Sequence, residues 1–101
     1  MSENFSSFWD FYPFYLSQHS DRTCRRLHFV GTALVIGVLA WVLASGTWAG
    51  LLLLPVVGYG FAWVGHFVFE KNRPATFRYP LYSLIGDFVM FRDMLTGRIR
   101  F

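Results

Sequence analysis

Charge is what this sequence has least of. Only 15% of its 101 residues are Asp, Glu, Lys or Arg, against about 25% in an ordinary soluble domain. The shortage is concentrated: the 43 residues from Leu27 to Phe69 hold no charge at all. A surface helix of a soluble protein carries a polar face, and this run shows none. Cysteine is nearly absent too. With Cys24 alone no intrachain disulfide can form, and nothing beside it would lower its pKa, so it reads as a small packing residue rather than a nucleophile. No repeat, low-complexity segment or nucleic-acid module is present. The N-terminus lacks a basic region, and Glu3 and Asp10 flank aromatic rather than aliphatic residues, so no cleavable leader is expected.

Apolar and aromatic residues fill the space that charge leaves, at 54% and 21% of the chain. A bilayer crossing needs roughly 20 apolar residues, so the uncharged run is long enough for two crossings and a turn. The pattern predicts an all-α integral membrane protein, a transmembrane helical hairpin flanked by interfacial or re-entrant helices, in one domain over residues 1–101. The hairpin helices are placed at about 24–44 and 49–71, joined through Ser45-Gly46-Thr47-Trp48. Ser20, Asp21 or Thr23 can cap the first helix. Pro55 lies early in the second, where it can kink it, and Pro74 ends it. Arg22, Arg25 and Arg26 precede the hairpin and Lys71, Arg73 and Arg78 follow it, which puts both ends on the cytoplasmic side. That side belongs to the inner membrane in a bacterium or the endoplasmic reticulum in a eukaryote.

Two segments flank the hairpin. Residues 5–19 hold a dense aromatic cluster broken by Asp10 and Pro13, and read as an interfacial anchor or as one wall of a lipid-chain pocket, the anchor being favoured. Residues 79–95 contain Asp87, Arg92 and Asp93, too polar for a comfortable crossing. Asp87 reads as a solvent-facing residue of an amphipathic helix or as a polar pocket group, and the first is favoured.

The three histidines form the candidate site. With Thr47 as apex, His28 lies 19 residues before it and His66 19 residues after it, which puts both about 28 Å from the turn at 1.5 Å rise per residue. They therefore share one depth on neighbouring antiparallel helices, and His19 enters from the same side. Convergent imidazoles suit iron or zinc. Glu70, one turn beyond His66, can join the ligands or orient one. The alternatives are interfacial histidines, with Glu70 paired to Lys71 or Arg73. Three classes of function stay open: a metal enzyme, a non-enzymatic assembly factor or transporter subunit with structural histidines, and a b-type haem carrier.

The elements Tyr15-x3-His19, His28, Gly65-His66-x3-Glu70-Lys71-x-Arg73-Pro74-Ala75, Ser83-Leu84 and Met90-Phe91 together resemble the membrane 2-hydroxy fatty acid dioxygenases of α-oxidation. The resemblance implies a non-haem Fe(II) enzyme at a membrane that uses O2 to shorten a 2-hydroxy fatty acid by one carbon. Carried over by position, His19, His28 and His66 would be the iron ligands and Glu70 a ligand or its partner. Arg26, Lys71 or Arg73 would neutralise the substrate carboxylate, with the acyl tail in the bilayer or against the Phe/Tyr cluster. Longer relatives have an extra hydrophobic stretch between the second histidine and the Gly-His block. Its lack here raises a homodimer as a way to enclose the pocket.

Overall fold

A computed structural model describes residues 5–101; Glu3, weighed above against a leader, lies outside them. Among the described residues the fold is all-α. Helix α1 (Phe8–Ser17) leads through a tight turn into the long α2 (Arg22–Ser45), and a 3-10 turn (Trp48–Leu52) opens the returning α3 (Leu53–Val64). That helix runs into a π-helical turn (Gly65–Glu70), and a second 3-10 turn (Ala75–Phe77) precedes α4 (Pro80–Leu95).

Local chemistry sets each boundary. Ser7 caps α1 through the amide of Asp10, and Asp21 caps α2 through the amide of Cys24 at 3.0 Å. Gly46 ends α2 in the left-handed region (φ 71°), returning its N–H to the Val42 carbonyl, a conformation that costs glycine nothing. Pro55 falls in the first turn of α3, a position that proline tolerates, just after the 3-10 turn. The expected regular helix to residue 71 is therefore a 3-10 start, an α middle and a π end. Lys71 takes a left-handed conformation (φ 58°) that turns the chain out of the helix.

The hairpin is antiparallel and close-packed at small residues. A Cβ on Gly31 would lie 3.1 Å from the Phe61 Cβ, and one on Gly65 would lie 3.0 Å from the Cys24 sulfur. Cys24 is fully buried at this crossing, as a packing residue. Outward, the hairpin is apolar: Leu43, Leu52 and Val56 are 63%, 76% and 65% exposed. Helices Arg22–Ser45 and Trp48–Glu70 (the latter counted through its 3-10 and π turns) are long and apolar enough to cross a membrane.

The buried core lies elsewhere. Phe11, Tyr12 and Tyr15 of α1 pack with Ala75 and with Met90 and Met94 of α4. Gly86 makes room for this contact, since a Cβ there would lie 2.9 Å from the Tyr15 ring. The aromatic segment favoured above as an anchor is thus the principal core of the protein, because α4 offers it an apolar face and two carboxylates for its hydroxyls. Tyr12 donates to the buried Asp93 at 2.8 Å, and Tyr15 donates to Asp87. The favoured solvent-facing reading of Asp87 is corrected by the same contact.

Candidate metal centre

The three histidines arrive from three different elements. His19 stands in the turn between α1 and α2, His28 on the second turn of α2, and His66 at the start of the π-helical turn. All three are buried, at 2%, 4% and 2% exposure. Their Nε2 atoms face one another, His19 to His28 at 3.1 Å and His66 to His19 at 3.0 Å, and each residue offers a ligand atom within 4.8 Å of the others.

The other ring nitrogen decides what those Nε2 atoms are. His19 Nδ1 lies 2.6 Å from the Tyr15 carbonyl and His28 Nδ1 lies 2.8 Å from the Cys24 carbonyl. His66 Nδ1 lies 2.7 Å from Asn72 Oδ1. Asn72 is held in that orientation because its Nδ2 donates to the Gln18 carbonyl and side chain. All three partners are pure acceptors, so each Nδ1 carries the proton, and a neutral imidazole has only one. Three bare Nε2 lone pairs therefore converge in a buried space. Protonating them is opposed: burial first, then the neighbouring His28 and His66, hold His19 well below its ordinary pKa. A cation shared by the three lone pairs resolves the repulsion, and nitrogens about 2.1 Å from one ion stand roughly 3.0–3.4 Å from one another. The donor set, three neutral imidazoles with their N–H groups anchored on oxygen, fits a first-row transition metal.

Beside the imidazoles lies a small space of ≈ 20 Å³, lined also by Tyr15, Tyr59, Ser83 and Asp87. A water needs about 10–15 Å³, so the space beside the imidazoles has room for one small guest. The Ser83 hydroxyl is buried there with no hydrogen-bond partner. Asp87, at the same wall, is pushed up to about 7 by burial, against the Tyr15 hydroxyl that donates to it. Tyr15, stacked on His19 at 4.1 Å between centroids, is raised well above its ordinary value by burial and then by Asp87.

The family comparison adds an independent line. Residues 5–99 match the family described as 2-hydroxy-palmitic acid dioxygenase Mpo1-like. The chain belongs to that family. No curated protein and no solved structure matched. In this Mpo1-like chain the structure brings together His19, His28 and His66 but not the charged residues expected near them. The Glu70 carboxylate accepts from the Ser20 hydroxyl at 2.6 Å and the Asp21 amide at 2.7 Å, tying the π turn to the start of α2. Arg26 donates to the Phe101 carbonyl and covers its ring, Lys71 is exposed, and Arg73 lines a separate hollow with Phe14 and Gln18. None of these four lines the histidine cavity. Asn72 was missed in the sequence, although it sits inside the Gly-His block, six residues after His66. An Asn following a helix end is common enough as a cap that nothing local marks it as a histidine partner.

Proposed function

We propose that this chain is an integral membrane dioxygenase that holds Fe(II) on His19, His28 and His66 and shortens a 2-hydroxy fatty acid by one carbon. The observation that carries the proposal is the convergence of three unprotonated Nε2 atoms, each fixed from behind by a carbonyl acceptor. The family's description supplies the reaction and the class of substrate. When bound, Fe(II) would supply the redox chemistry that a reaction with O2 requires and a Lewis acid for a 2-hydroxy acid.

The rest is done by the chain. Tyr15, Cys24 and Asn72 keep the imidazoles in one tautomer and one orientation, and Gly65 and Gly31 let α2 and α3 approach closely enough for His28 and His66 to meet. The free Ser83 hydroxyl can donate to an oxygen of the bound acid, and Asp87, raised to about 7 by burial, can do the same while it holds its proton. The hairpin crosses the bilayer with its lone-pair cluster at the end flanked by Arg22, Arg25, Lys71 and Arg73, on the cytoplasmic side. α4 packs against α2 and carries α1 on it. Purified protein loaded anaerobically with Fe(II) should consume O2 with 2-hydroxypalmitate and yield the acid one carbon shorter, and His66→Ala should abolish both iron retention and O2 uptake. Loaded protein that binds no iron and consumes no O2 would remove the basis of the proposal.

A further inference from the structure

A second hollow begins where the histidine cavity ends. It has a volume of ≈ 390 Å³ and shares His28, Tyr59 and Asp87 with the smaller space. Along α2 it is lined by His28, Thr32, Val35 and Leu39, residues spaced one turn apart on a single face. Across from them stand Gly58 and, farther from the histidines, Leu54. Gly58 faces Val35, since a Cβ on it would lie 3.4 Å from the Val35 methyl. A side chain larger than a methyl at position 58 would therefore take up room beside Val35 in the middle of the groove.

We infer that this groove is the binding site of the substrate's alkyl chain, and that its length, from His28 to Leu39 and Leu54, sets the preferred chain length. The inference rests on the dioxygenase reading for the identity of the head group. Polar groups are confined to the histidine end, and the remainder is aliphatic and aromatic, which is the polarity of a single-chain amphiphile lying with its head at the metal centre. Its direction also matches the bilayer, head toward the basic end of the hairpin and tail toward the hydrocarbon. From His28 to Leu39 the groove is about 16 Å long at 1.5 Å per helical residue. An extended chain advances roughly 1.2 Å per bond, so about 13 bonds fit, and the reacting carbons add to that at the histidine end. Its volume lies within the ≈ 300–1,000 Å³ of small-molecule sites. The tail lies between α2, α3 and α4, not against the Phe/Tyr cluster of α1, whose rings are already occupied by α4.

The test is photolabelling of the full chain in nanodiscs with 2-hydroxypalmitate carrying a diazirine near its methyl end. Adducts are expected within residues 35–39 and 54–58, competed by unlabelled 2-hydroxypalmitate and reduced about tenfold or more in Gly58→Leu. Adducts on residues 8–15, or spread without competition over outward positions such as Leu43 and Leu52 as for a bilayer lipid, would overturn the groove. Labelling needs neither iron nor turnover, so a groove that labels in a protein without O2 uptake would sink the dioxygenase reading alone. Leu39→Trp at the half-exposed far end gives a second reading that does not depend on how Gly58→Leu folds. It should shift the ratio of kcat/KM for 2-hydroxypalmitate over 2-hydroxyoctanoate about tenfold toward the shorter acid, with iron content unchanged. An unchanged ratio would contradict the chain-length role.

Discussion

At the scale of single residues, the site is controlled by groups that never face the guest. Asn72 holds the proton side of His66 while its own amide is held by Gln18. Partners of this kind are worth about 10–100-fold in metal affinity. Asn72→Leu is therefore expected to weaken iron binding by that factor, measured by chelator competition, while the helical signal of the protein is unchanged. Asp87 gives a pH signature. Its carboxyl titrates near 7 in the fold and near 3.8 when exposed, so between those values the folded state holds the extra proton and stability falls as pH rises. At ~1.4 kcal/mol for each unit the full effect is about 4 kcal/mol, reduced because Asp87 is only half-buried. Metal-free Asp87→Asn should match the parent in stability near pH 4 and exceed it near pH 7 in denaturant titrations. Equal stabilities at both pH values would show that Asp87 is not desolvated in the fold.

At the scale of elements, the histidine cluster depends on how closely α2 and the π turn approach. Gly65→Ala places a methyl within 3.0–3.3 Å of Cys24 on three atoms, backbone among them, so α2 must move away and carry His28 with it. Reduced stability and at least tenfold weaker iron binding are expected. Gly60→Ala is the control: it meets nothing within 4 Å and should stabilise the helix by about 0.5–1 kcal/mol, read from thermal melts. The hairpin, its turn and the common depth of His28 and His66 were legible in the sequence, because an uncharged run of this length and a Ser-Gly-Thr turn leave few alternatives. The π-helical end was not, since nothing in Gly65-His66-Phe67-Val68-Phe69-Glu70 departs from ordinary α-helical chemistry. Glu70 was expected as a ligand or its partner, not as the acceptor of the Ser20 hydroxyl and Asp21 amide, a contact fixed only when the α1–α2 turn meets the end of the π turn. The burial of the aromatic segment was not legible for a related reason: it depends on α4, about seventy residues away, and a local pattern of Phe and Tyr carries no record of that partner.

At the scale of the whole molecule, the fold divides into an apolar hairpin that faces outward and a small aromatic core at one end that closes over the histidines. The long dimension of 46 Å is enough for a hydrocarbon core of about 30 Å with its two headgroup zones. The three histidines come from the α1–α2 turn, α2 and the π turn, so a metal held on them would join the core end to both hairpin helices. Metal that binds the folded state alone adds about 2.7 kcal/mol at a hundredfold excess over Kd, and chelation should lower Tm and expose the α1–α4 contact first in hydrogen exchange. The central claim is that three bare Nε2 atoms hold one transition metal ion. Elemental analysis of protein loaded with Fe(II) and freed of excess metal tests it most directly. One iron per chain, lost together in His19→Ala, His28→Ala and His66→Ala, is the result predicted here. A chain that retains no stoichiometric metal, or retains it undiminished in all three variants, would contradict it.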